Sequence, residues 1–117
     1  MQVLVQNKLN TVMNAFVAGC KELFGDKLSD VRLFGSYARG DYAGDSDIDI
    51  MVILDMNEDD VRKSLSSVCR IASDIDLEYN THIIPILQNM REYELHKETY
   101  GFFRNVEREG VSHYAQQ

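Results

Sequence analysis

A chain of 117 residues, 44% of them hydrophobic, has the size and apolar content for one domain with a modest core and no need of covalent staples. Nineteen acidic against twelve basic residues leave a net charge of -7, which opposes nonspecific attraction to a nucleic-acid backbone and disfavours a polynucleotide substrate. No stretch approaches the roughly 20 apolar residues of a membrane span, and no basic-then-apolar leader stands at the N-terminus, so a single soluble, cytoplasmic domain over residues 1–117 is expected.

Leu9, Val12, Met13, Phe16, Val17, Cys20, Leu23 and Phe24 recur at steps of three and four, the period of an amphipathic helix that Gly25 closes. Val31 to Phe34 reads as a short strand. Ile48 to Leu54 reads as a second, so uniformly apolar that it belongs inside the sheet, covered on both faces. Asn57 ahead of Glu58, Asp59 and Asp60 is an N-cap followed by acids suited to the helix dipole, and Val61, Leu65, Val68 and Ala72 carry that helix to about Ser73. Thr81 to Leu87 forms a third strand, which Pro85 places at a sheet edge. Asn89 with Glu92 makes a capping box for a helix through about Glu98. A last helix spans Phe102 to Glu109 and stops at Gly110. Alternating helices and strands give an α/β or α+β architecture, a small mixed sheet with helices on its faces. Cys20 and Cys69, in separate helical patterns, are read as reduced core thiols rather than a disulfide.

The segment "LFGSYARGDYAGDSDIDIMVIL" carries the chemistry. A glycine directly after a strand lets phosphate approach the backbone, and Gly35 with Ser36 supplies free N–H groups and a hydroxyl to bond its oxygens. Alternate residues of a strand share a face, so Asp47 and Asp49 converge two carboxylates on one point. Their mutual repulsion is relieved by a divalent cation, and Mg²⁺ is commonly held by one or two carboxylates together with substrate phosphates. Other polar residues carry less. The tyrosines Tyr37, Tyr42, Tyr79, Tyr93, Tyr100 and Tyr114 read as packing, and His96 and His113 as surface residues.

Gly35-Ser36, the ten residues Tyr37 to Ser46, and Asp47-Ile48-Asp49 together resemble the signature of the minimal nucleotidyltransferases in the DNA polymerase beta-like superfamily. "ARG" before the spacer, "SD" opening the acidic pair and "NVEREGVSHY", similar to that family's closing helix, extend the resemblance over nearly the whole chain and leave no room for an added substrate domain. The resemblance implies transfer of AMP from ATP to an acceptor hydroxyl with release of pyrophosphate. Gly35, Ser36, Arg39 and Ser46 would bind the nucleotide, and Asp47 and Asp49 would hold Mg²⁺ and be catalytic. The family's third carboxylate matches Ile84 here, with Asp76, Glu78 and His82 as the nearest substitutes. Members of this length resemble the antitoxin of a toxin–antitoxin pair whose partner is a HEPN-domain ribonuclease, adenylylated on a tyrosine. Two alternatives stand beside it: an aminoglycoside-type enzyme, and a nucleotide-binding or interaction subunit with a degenerate site. Self-association is compatible with either.

Overall fold

The computed structural model describes residues 2–40, 46–99 and 101–115. Tyr42 and Asp45 of the spacer, and Tyr100, lie outside them. Helix α1 (Gln2–Phe24) turns Leu9, Val12, Met13, Phe16 and Cys20 into the core, and Gly25, at φ 57°, ends it as its position suggested. Strand β1 (Leu28–Phe34) is followed by a single helical turn, α2 (Ser36–Arg39), and then by β2 (Ile48–Leu54). Helix α3 (Glu58–Tyr79), β3 (Ile83–Asn89), α4 (Met90–His96), α5 (Gly101–Glu109) and β4 (Val111–Ala115) complete the order.

The sheet runs β3-β2-β1-β4, with β1 antiparallel to both its neighbours and β3 parallel to β2. A parallel pair needs a crossover, and α3 provides it. Helices α1 and α3 cover one face, where Val31, Leu33, Ile48, Ile50, Val52 and Leu54 are all buried. Tyr93 of α4 and Val106 of α5 pack on the other face against Met51 and Ile53. β2 is therefore apolar on both sides, as its composition predicts, and Pro85 does lie in the edge strand β3. Asp49 is the one residue of β2 that is not buried.

Both asparagine caps form. Asn57 accepts a bond from the Asp60 amide, and Asn89 accepts from the Glu92 amide while donating to the Met56 carbonyl. Four expectations are corrected. α3 runs to Tyr79 rather than Ser73, because Ile75 prolongs its buried stripe and the chain leaves the helix only at Asn80, in a left-handed conformation (φ 56°). Cys69 is exposed and only Cys20 is a core thiol, since a position next to Val68 is turned about 100° off the buried stripe. "VSHY" is the start of strand β4, not the end of a closing helix. His96 and His113 are half-buried: His96 stacks on Phe103, and burial lowers the pKa of His113.

Candidate functional site

The site is built where β1 ends. Phe34 pairs with Asp49, so the residue after Phe34 must pass beside the Asp49 carboxylate. Gly35 does this at φ 73°, in a region L side chains avoid, and a Cβ there would stand 2.3 Å from Asp49 Oδ2. The conformation itself favours glycine, and a larger residue would also have to push the Asp49 carboxylate aside. Ser36 opens the single turn of α2, which Gly40 closes in a left-handed conformation, and Arg39 sits on that turn.

Across from it, Ser46 and Asp47 lead into β2. Ile48 points into the core, leaving Asp47 and Asp49 on the opposite face, the one shared with Met51 and Ile53. Partial burial raises the Asp49 pKa, the neighbouring Asp47 charge raises it further, and Arg39 pulls it back. A desolvated carboxylate repelled by a second one favours a nearby cation. Two hard oxygen donors suit a divalent ion shared with phosphate, so Asp47 and Asp49 are the residues that could hold one. Among the described residues no cluster of three or more His, Cys, Asp or Glu side chains forms.

Ile84, the residue that counting matched to a third carboxylate, is the register partner of Asp49 on β3. The nearby substitutes separate in space. Asp76 is occupied, accepting bonds from the Thr81 hydroxyl at 2.7 Å and the Ile83 amide at 3.0 Å, and so secures the entry into β3. Glu78 is exposed on α3. His82 does reach the site, its Nδ1 lying 2.6 Å from Asp47 Oδ1.

Gly35, Ser36, Arg39, Ser46, Asp47 and Asp49 all line one pocket of about 470 Å³, within the range of small-ligand clefts. Its other wall was not foreseen. Phe102, Asn105, Val106 and Glu109 of α5 complete it, and Arg39 meets Glu109 across it at 3.5 Å. Their spacing of i, i+3, i+4 and i+7 is a helix face, a signal present in the sequence, but which face meets the acids is decided by tertiary packing.

A profile described as the nucleotidyltransferase domain matches residues 13–111. Two proteins of Methanocaldococcus jannaschii, each named "Putative protein adenylyltransferase", are similar in sequence. One is 36% identical over 94 residues, 77% of this chain and 61% of its own length, so the chain spans less than two thirds of that relative. The other is 34% identical over 95 residues, 81% of this chain and 87% of its own. Among solved structures, a "putative nucleotidyltransferase" from Sulfolobus solfataricus superposes with a TM-score of 0.67 at 22% identity, over 96% of this chain and 86% of that one. A chain of the toxin–antitoxin MntA-HpeT gives 0.54 at 17%, over 90% and 74%. At such identities the structural likeness speaks for the fold.

Proposed function

Because the chain belongs to the nucleotidyltransferase domain family, we propose that it is a protein adenylyltransferase, moving AMP from ATP to a hydroxyl on a partner protein. The carrying observation is the convergence of Gly35, Ser36, Arg39, Ser46, Asp47 and Asp49 on one pocket. We read the chain as a single domain acting in the cytoplasm. In the reaction the acceptor oxygen bonds to the α-phosphorus, the bond from that phosphorus to the bridging oxygen breaks, pyrophosphate leaves, and the hydroxyl proton is released. Such in-line displacement needs positioning and charge neutralisation more than a protein nucleophile. Gly35 and Ser36 offer backbone N–H groups and a hydroxyl to the triphosphate, Arg39 offers a cation, and Asp47 and Asp49 would hold Mg²⁺. The ion, when bound, would neutralise phosphate charge and lower the acceptor's pKa.

The likeness to relatives named as protein adenylyltransferases supports a protein acceptor; the fold shared with a chain of a toxin–antitoxin pair is in keeping with a toxin as that partner, and the motif resemblance points to a helical HEPN-type one. The second reading, a binding subunit with a degenerate site, is favoured by Ile84 standing beside Asp49 where the family has a third acid. The experiment is incubation of the chain with labelled ATP, Mg²⁺ or Mn²⁺ and the co-expressed helical partner. Label should pass to the partner, and Asp47→Asn or Asp49→Asn should lower the rate by about a hundredfold or more, since even residues that merely orient metal ligands cost about 10- to 100-fold. Binding of ATP and partner with no transfer would favour the degenerate subunit instead. Rapid transfer to a free aminoglycoside would overturn the protein acceptor.

A further inference from the structure

The two walls of the pocket differ in chemistry. Gly35, Ser36, Arg39, Asp47 and Asp49 make one wall polar and charged, suited to a triphosphate and its cation. The α5 wall carries an aromatic ring, an amide and Val106, with its single charge, Glu109, at the far end against Arg39. Phe102 and Glu109 lie at opposite ends of the face, about 10 Å apart along the helix axis at 1.5 Å per residue.

Phe102 is 48% exposed, which would be wasteful for a ring of this size on an ordinary surface. Its orientation is nonetheless held: Phe34, the residue before Gly35, meets it edge-to-face at 5.8 Å, and Phe103 meets it at 5.7 Å. A fixed ring with a free surface, lining a pocket, is a stacking platform. One turn on, Asn105 lines the same pocket, is exposed, and makes no side-chain hydrogen bond to another described residue. Its amide offers a donor and an acceptor side by side. That pattern complements the N6 amino donor and N7 acceptor of adenine, whereas guanine presents two acceptors at the corresponding edge.

We propose that the pocket face of α5 is the nucleobase subsite, with Phe102 stacking on the base and Asn105 selecting adenine over guanine. This rests on the nucleotidyltransferase reading of the pocket, and the test separates the two. Binding of ATP, GTP and inorganic tripolyphosphate is measured with Mg²⁺ by calorimetry on the full chain and its variants. Phe102→Ala should weaken ATP by about tenfold or more, the usual effect of removing one base-stacking ring, and leave tripolyphosphate unchanged. Phe102→Tyr should bind ATP like the parent, and Asn105→Ala should narrow the preference for ATP over GTP. Unchanged ATP affinity in Phe102→Ala, or equal losses for ATP and tripolyphosphate, would overturn the subsite. A parent chain that binds tripolyphosphate as tightly as ATP would also overturn it while leaving the phosphate site standing. A parent chain that binds neither would remove the underlying reading as well.

Discussion

Asp49 shows how much one position must satisfy. It interrupts an otherwise buried strand, pairs with the last residue of β1, and sets its carboxylate where a Cβ on Gly35 would stand. The acids and the Gly-Ser pair were legible because alternation on a strand and the conformational licence of glycine are local properties. The Gly35–Asp49 approach and the His82–Asp47 bond were not, because each joins residues that only the sheet register brings together. The cysteines give this scale its prediction. Burial pushes the Cys20 thiol up from 9.0 to about 12, while Cys69 is exposed. Below pH 9.0 folded and unfolded chains both keep the Cys20 proton; between 9.0 and about 12 only the folded chain does. The folded state then binds more protons, so stability falls as pH rises through that window, by at most about 1.4 kcal/mol per unit. Cys20→Ala should flatten this alkaline slope in urea titrations. Under native conditions at pH 8 a thiol reagent should label Cys69 and spare Cys20; equal labelling of both would contradict the burial.

Among the elements, β2 was readable from end to end because burial on both faces leaves an unbroken apolar run, and both asparagine caps announced the helices that follow them. The end of α3 was lost where Asp74, Asp76 and Glu78 dilute an apolar stripe that still buries Ile75. β4 was lost for another reason: its order comes from pairing with β1, some eighty positions away in sequence, and nothing in its own pattern states that. Strand β3 carries the prediction for this scale. Ile84 stands beside Asp49, on the face β3 shares with the carboxylates, so Ile84→Asp introduces a third acid there. With Mg²⁺ and partner, transfer should speed up by about tenfold or more, the lower range for a general acid–base or metal-orienting group. In EDTA the same variant should melt below the parent, because three close carboxylates then repel without a cation. An equal or slower rate with a normal melt would show that this edge plays no part in activating the acceptor.

For the whole molecule, the sheet separates two cores, and Arg32 fastens the smaller one to the strands. Half-buried on β1, it pairs with Asp30 at 3.2 Å and donates to the carbonyls of Glu107 and Gly110, so it holds the end of α5 and the start of the segment that becomes β4. Ser112 donates to the same Asp30, and the Tyr93 hydroxyl donates to Glu107, so strands β1 and β4 and helices α4 and α5 share one polar network. Arg32→Met keeps the apolar stem and removes those bonds. Unfolding free energy should drop by about 1–3 kcal/mol in denaturant titration, the cost of charged hydrogen bonds lost from a half-buried site. ATP binding should weaken too, because the pocket's second wall loosens. An unchanged denaturation midpoint would mean that α5 is held by its apolar contacts alone. The pocket's construction also has a consequence in time. During translation the Gly-Ser turn and the carboxylates are made well before the helix that faces them and the strand that pins that helix down. A chain cut between them would keep Gly35, Ser36, Asp47 and Asp49 but lack Phe102, Asn105, Val106 and Glu109, and with them one whole wall of the pocket.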